Sequence, residues 1–408
     1  MAFAIGVVLF AVGIGISIAL HEAGHMWTAK ALGMKVRRYY IGFGPKIFSF
    51  RRGETEYGLK AIPAGGFCDI AGMTAIDELA PDEVERAMYR QKTWKRIVVM
   101  VGGIAMNFVL GIVLVYTLVL GWGTPDRVTP PTVQVSKVVC IAPSQTEDGT
   151  LAPCSGTGPA AAAGLRDGDV VTAVNGEPVQ YWSEVVETVQ ASSGPVDLTV
   201  ERDGSSLDLT IPVTKVQRYV ITDPDTGAKE SRTVGAVGAT GSTIAPPAIR
   251  YNPIEAVPET FVFTGDIFVQ TGKALVQLPT KVEALWESIF GGERGLDTPM
   301  SVVGASVIGG QAVERDDLVT FVGLLASLNF FLGAFNIVPL LPLDGGHIAV
   351  TIYERIRNTL RNRRGLPDGA PVDYMRLMPV TYVVIIVFIG FSLLTLTADI
   401  VNPIQIYQ

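Results

Sequence analysis

The sequence predicts a membrane α-helical fold: a four-span polytopic helix bundle with a re-entrant β-hairpin or small sheet and one aqueous α+β domain. Three observations predict it. Of 408 residues, 48% are hydrophobic and only 17% charged, too apolar for one soluble domain of this length. Four stretches approach the ~20 apolar residues that cross a hydrocarbon core. Charge is also divided along the chain, which the formal net charge of −7 conceals. Lys30–Arg96 holds 13 basic against 8 acidic residues, Gly123–Val319 holds 13 against 25, and Pro342–Pro379 holds 6 against 4. By the positive-inside rule the first and third stretches are expected at the cytoplasmic face, with the middle one and both termini outside. No basic patch with interleaved aromatics points to nucleic acid, whereas the lipid bilayer is an expected partner.

The first span, about 3–31, begins with the apolar run Phe3–Leu20. No Lys or Arg precedes that run and no A-x-A-like site follows it, so it reads as a retained helix and not a signal peptide. It continues into His21-Glu22-Ala23-Gly24-His25. On a helix, positions i and i+4 share a face, so His21 and His25 can hold one Zn²⁺, with Glu22 beside it as a proton acceptor for water. Five residues can match by chance. Against chance stands the cost of placing two His and a Glu on a membrane helix, and only one further histidine, His347, exists in the chain. A zinc hydrolase motif at this address points to cleavage of polypeptide within the membrane.

Residues 36–73 alternate apolar with small or polar side chains around an Arg51-Arg52-Gly53-Glu54 turn and read as a re-entrant hairpin. Its strand edge is a candidate platform for a substrate strand. A second span is expected at 97–122, where Asn107 is expected to hydrogen-bond inside the bundle near the site. From 123 to 215 short strands and turns take over. Ala163-Gly164-Leu165, Gly168-Asp169-Val170 and Val174-Asn175-Gly176 resemble the signature of a bacterial PDZ domain. Cys140 and Cys154 lie in this outer segment and Cys68 in a cytoplasmic one, so the outer pair is either a disulfide or two free thiols. Residues 216–317 are expected to form an outer linker with amphipathic helices. Val282, Leu285, Trp286, Ile289 and Phe290 there give an apolar face, suited to packing on the PDZ-like domain or to lying on the membrane surface. The remaining spans are expected at about 318–341 and 380–396, within 318–408; the first membrane part is 1–122.

The third span ends in Asn336-Ile337-Val338-Pro339-Leu340-Leu341-Pro342-Leu343-Asp344-Gly345-Gly346-His347. Two prolines would break the helix, and Gly345-Gly346 would free the chain for a tight turn. Asp344 is an intramembrane carboxylate with no adjacent base, costly unless it serves a function, which makes it the natural third zinc ligand. Asn336 is a candidate donor to a developing oxyanion or a helix-packing amide. His347 is a candidate for simple interfacial placement or for support behind the ligands.

These motifs, in this order over nearly the whole chain, resemble the bacterial site-2 protease family: HEAGH on the first span, Gly42-Phe43-Gly44-Pro45, an outer PDZ-like domain, and Asn336-x-x-Pro-x-x-Pro-Leu-Asp344-Gly-Gly. The resemblance implies an intramembrane zinc endopeptidase. It implies zinc at His21, His25 and Asp344, Glu22 as catalytic base, Asn336 in substrate handling, and the Gly42, Phe43 and Gly44 hairpin in substrate presentation. It further implies single-span membrane substrates such as anti-sigma factors, an upstream site-1-type protease acting on the same substrates, and a bacterial plasma-membrane location with the zinc site toward the cytoplasm. This chain departs in having one PDZ-like unit where some relatives have two, and in the Cys140–Cys154 insertion. Whether that unit filters substrates by size or binds a freshly exposed C-terminus stays open. The alternatives are a membrane-anchored zinc peptidase for protein quality control and a non-catalytic PDZ-bearing scaffold.

Overall fold

A computed structural model of the chain describes residues 1–408 apart from 75, 147–149, 224–227, 293, 296, 405, 407 and 408. The chain forms two compact units, one of Met1–Trp122 with Tyr251–Gln408 and one of Gly123–Arg250.

The first unit opens with α1 (Ala2–Ala31). It contains no proline, and Gly33, with a left-handed φ of 85°, ends it. The Gly33 amide donates to Lys30 and the Met34 amide reaches back to Ala29 at 2.9 Å, a Schellman close. The hairpin β1 (Val36–Arg52) and β2 (Thr55–Ile70) follows, then α2 (Thr93–Trp122). Tyr39 pairs with both Cys68 and Tyr57, and Tyr40 with both Phe67 and Gly58, so the start of β1 is bonded along both edges. The 66–70 segment is thereby left on the outside of this small sheet. Phe43, Ile47, Phe48, Phe50, Leu59 and Ile62 are exposed apolar side chains on the hairpin.

The second unit contains β3 (Thr132–Val138), α3 (Pro159–Ala162), β4 (Val170–Val174), β5 (Glu177–Pro178), α4 (Trp182–Ala191), β6 (Val196–Arg202), β7 (Ser205–Ile211), β8 (Thr214–Asp223), β9 (Ala228–Ala236) and β10 (Ala239–Ile244). Its main sheet runs β10-β3-β4-β6-β7, with β5 on β4, while β8 and β9 form a separate ribbon. Val133, Val171, Leu198, Val200 and Ile211 pack under α4 through Val185 and Val189. Asn175 (φ 52°) and Gly176 (φ 82°) make the two-residue turn between β4 and β5. Cys140 and Cys154 are joined, their Cα atoms 5.9 Å apart, and Cys68 is free. The unit runs to Arg250, past the boundary expected at 215. The sheet needs β10, whose alternation of small and polar residues, Ala239-Thr240-Gly241-Ser242-Thr243-Ile244, hides a strand from hydrophobic patterning.

The first unit resumes with α5 (Ala256–Gln277), α6 (Lys281–Ile289), α7 (Val302–Glu314), α8 (Leu318–Ile337), α9 (Asp344–Arg363) and α10 (Tyr374–Val401). Among the described residues four helices, α1, α2, α8 and α10, are long and apolar enough to cross a membrane. Helix α7, within the expected linker, is apolar but too short to read as a span. It packs on α1 where a Cβ on Gly6 would come within 2.9 Å of the Gly310 Cα, the close approach small residues allow between apolar helices. The expected apolar face of α6 is divided: Leu285 is buried, while Val282, Trp286 and Phe290 are exposed. The expected tight turn at Gly345-Gly346 is instead the first turn of α9. Glycine is required there because a Cβ on Gly345 would lie 2.2 Å from the Ile337 carbonyl oxygen, and one on Gly346 2.5 Å from the Leu341 nitrogen. The buried pair Arg96–Glu354, at 2.6 Å, ties α2 to α9. Removing one partner of such a pair typically costs about 3–5 kcal/mol.

Candidate metal centre

His21, Glu22 and His25 lie in the second half of α1, and Asp344 is the first residue of α9. The two elements are more than three hundred residues apart in sequence. The fold brings His21, His25 and Asp344 together as a group able to hold a metal ion. The His21 and His25 Nε2 atoms are 3.2 Å apart. Asp344 Oδ2 lies 3.2 Å from the first and 3.3 Å from the second. A tetrahedral Zn²⁺ about 2.0–2.2 Å from each donor implies donor–donor edges of about 3.3–3.5 Å, so the triangle has the size such an ion requires. The donor set, two imidazoles and a carboxylate, suits zinc as well. Asp344 Oδ2 is buried without a hydrogen bond, a costly state for a carboxylate oxygen unless a cation faces it.

The imidazoles are held from behind. His25 Nδ1 is 2.8 Å from the Val99 carbonyl oxygen on α2. A carbonyl only accepts, so Nδ1 carries the hydrogen and Nε2 keeps its lone pair for the metal. His21 Nδ1 is 3.2 Å from the Asn107 side-chain amide nitrogen, also on α2. The Asn107 Oδ1 is buried and unpartnered. Turning that amide over places Oδ1 on a His21 Nδ1–H, which satisfies both groups and leaves His21 Nε2 facing the triangle. The α1–α2 approach that makes these contacts depends on glycine. A Cβ on Gly103 would sit 2.2 Å from His25 Nε2, and one on Gly24 2.2 Å from the Gly102 carbonyl oxygen.

Glu22 is half-buried beside the ligands. The hairpin covers it: a Cβ on Gly66 would be 3.2 Å from Glu22 Cγ, and the Cys68 backbone lies beside its carboxylate. The Tyr39 hydroxyl donates to the Ala19 carbonyl at 2.7 Å, pinning the same sheet to α1 just before the motif. Gly42 and Gly44 have φ of 88° and 79°, and Phe43 stacks on Phe67, ring centres 6.2 Å apart. These three residues lie just beyond the Ile41–Gly66 rung that borders Glu22.

Asn336 is not among the grouped side chains. It stands in the last turn of α8, its amide donating to the Leu332 carbonyl at 3.0 Å. His347 lies one turn into α9, with Nδ1 3.2 Å from the Tyr374 hydroxyl and the two rings stacked. Gly103, the Val99 carbonyl and the Cys68 amide carried no signal of their own in the sequence. Asn107 did, as the polar residue closing Gly102-Gly103-Ile104-Ala105-Met106-Asn107.

A zinc-sized triad with an adjacent carboxylate, two of its donors on a helix long and apolar enough to span a bilayer and the third at the start of α9, fits the class of membrane-embedded metallopeptidases. The sequence matches the family described as Peptidase family M50 over residues 9–378. It is 52% identical to Zinc metalloprotease Rip1 of Mycolicibacterium smegmatis and 50% identical to Zinc metalloprotease Rip1 of Mycobacterium tuberculosis, with the whole of both chains covered in each case. Zinc metalloprotease RasP of Geobacillus kaustophilus is 26% identical over 98% of this chain and 97% of its own. The chain belongs to peptidase family M50, the site-2 proteases, and is a multi-pass membrane metallopeptidase.

Proposed function

We propose that the protein is an intramembrane zinc endopeptidase that cleaves the transmembrane segments of single-span membrane proteins. Supporting this reading above all is the triangle of His21, His25 and Asp344 donors with 3.2–3.3 Å edges, set between apolar helices with Glu22 at its side. Zinc, when bound, supplies a Lewis acid that brings the pKa of water to about 7. Glu22 accepts the water proton and returns it to the leaving amine. The Val99 carbonyl and Asn107 keep both imidazoles oriented. Asn336, which gives one amide hydrogen to Leu332, has the second to offer the scissile carbonyl oxygen as charge develops on it.

An intact helix hides its peptide groups in its own hydrogen bonds, so the substrate must unwind locally before attack. The outer edge of the sheet at 66–70, beside Glu22, suits an extended segment that pairs by backbone hydrogen bonds. The Gly42, Phe43 and Gly44 turn sits next to that edge. The charge division along the chain supports a topology with both termini and the unit Gly123–Arg250 outside the cell and the metal site toward the cytoplasm. That unit acts as a PDZ-like screen, by size or by capture of a new C-terminus. Anti-sigma factors already trimmed by a site-1-type protease fit the substrate class.

The ligand assignment is tested with purified Asp344→Ala. Bound zinc falls well below the one ion per chain of the wild type, and cleavage of a single-span substrate is lost. Stoichiometric zinc together with wild-type cleavage in this variant would place the third ligand elsewhere.

A further inference from the structure

A polar cavity of about 670 Å³ lies at the N-terminal end of α2 against the later half of α9. Lys92, Arg96, Arg355 and Arg357 line it, with Glu354 and Asp368 as the acidic members. Glu354 is already engaged, accepting from Arg96 Nη1 at 2.6 Å and from the Val372 amide at 2.7 Å. Asp368 is the one lining carboxylate left to oppose Lys92, Arg355 and Arg357. Lys92 and Arg355 make no ion pair or side-chain hydrogen bond among the described residues. Arg96 is 8% exposed, and its Nε is buried with no partner. The first turn of α2 carries no acidic residue, and the amides of Thr93 and Trp94 have no acceptor within their own helix. The N-terminus of α2, the exposed cations Lys92 and Arg355 and the Arg96 guanidinium line one cavity, which is the chemistry of a phosphate site.

The location selects the source of the phosphate. The apolar part of α2 starts at Ile97, immediately past the cavity, and Trp94 beside it is exposed. On α9, Ile352, Tyr353, Ile356 and Leu360 are exposed apolar side chains next to Arg355, Arg361 and Arg363. An amphipathic basic helix of this kind lies in the headgroup layer. We propose that the cavity binds the phosphate of an anionic phospholipid, which clamps the start of α2 to α9. The clamp acts on the two helices that frame the metal centre: Val99, one turn beyond Arg96, holds His25, and Asp344 begins α9. The proposal rests on α2 spanning the membrane and not on the ligand or base assignments.

Full-length protein in neutral detergent is titrated with short-chain phosphatidylglycerol, short-chain phosphatidylcholine or inorganic phosphate. Lipid adducts are counted by native mass spectrometry, and the thermal midpoint is followed in parallel. Phosphatidylglycerol is expected to be retained at one site and to raise the midpoint, with phosphatidylcholine bound at least tenfold more weakly. The double variant Lys92→Gln/Arg355→Gln is expected to weaken retention at least tenfold while keeping wild-type zinc content and circular dichroism. Arg364→Gln/Arg376→Gln, outside the cavity, is expected to bind as the wild type does. Equal retention of the two lipids, or wild-type phosphatidylglycerol binding by the cavity variant, would overturn the proposal. Stabilisation by inorganic phosphate to which phosphatidylglycerol adds nothing would assign the site to a soluble ligand and overturn the lipid assignment.

Discussion

His25 can present Nε2 to a metal because its Nδ1 hydrogen is spent on the Val99 carbonyl, and its ring can reach that place because position 103 has no Cβ. Gly103→Ala is therefore expected to displace the ring and lower bound zinc and activity together. Zinc analysis of the purified, folded variant checks this, and full zinc occupancy would contradict it. Asn107→Leu removes the partner of His21 while filling similar space. Loss of such a supporting contact typically lowers metal affinity or activity about 10–100-fold, so a competition titration with a chelator should show a weakened site with Glu22 intact. At this scale the sequence was unevenly legible. His21, Glu22, His25 and Asp344 stand out because histidine and lone carboxylates are rare and costly in apolar segments. Gly103 does not, since glycine is common in membrane helices, and its purpose exists only where α1 and α2 cross. Asn336 could be picked out by type, yet its hydrogen bond to Leu332 follows from its place in α8, which its type does not reveal.

At the scale of elements, the hairpin decides how the Glu22 carboxylate is covered. Its turn and its apolar strands were legible from residue pattern, but the doubled register at Tyr39 and Tyr40 was not, because pairing along a second edge leaves no periodicity in the chain. The strand β10 and helix α7 escaped for related reasons, one being built of small and polar residues and the other shorter than a span. The loop that leads from β2 to α2 is locked to β1 by charge: Arg37 bonds Glu83 at 3.0 Å and 2.5 Å, and Lys35 adds a contact at 3.1 Å. Arg37 chiefly holds the Glu83 carboxyl down at about 2, from an ordinary value of 4.5. A depressed pKa means that the folded state favours the carboxylate. The stabilisation is full above the unfolded value and drains as pH falls from about 4.5 to about 2. Wild type should exceed Glu83→Gln in thermal midpoint at pH 7, and the gap should narrow below pH 4.5 and close only as the pH approaches about 2. A gap of constant size would show that this ion pair does not set the loop's stability.

At the scale of the whole molecule, the centre is assembled by long-range topology. The helix carrying two histidines comes first, and the aspartate arrives after α8 ends in a proline-broken segment and α9 begins. Both halves were legible as motifs, and so was their pairing, because a costly carboxylate and a two-histidine site each need what the other supplies. The extent of the unit Gly123–Arg250 was less legible, since its sheet is completed by a strand that returns after a polar ribbon. The central claim is that Glu22 and a zinc held by His21, His25 and Asp344 cut polypeptide inside the membrane. Its most direct test is mass spectrometry of a single-span substrate co-reconstituted with wild-type protein or Glu22→Gln. The account predicts new termini inside the substrate's apolar segment with the wild type, and none with Glu22→Gln although that variant retains one zinc. Cleavage by Glu22→Gln at the wild-type rate, or wild-type cuts confined to segments outside the membrane, would contradict it.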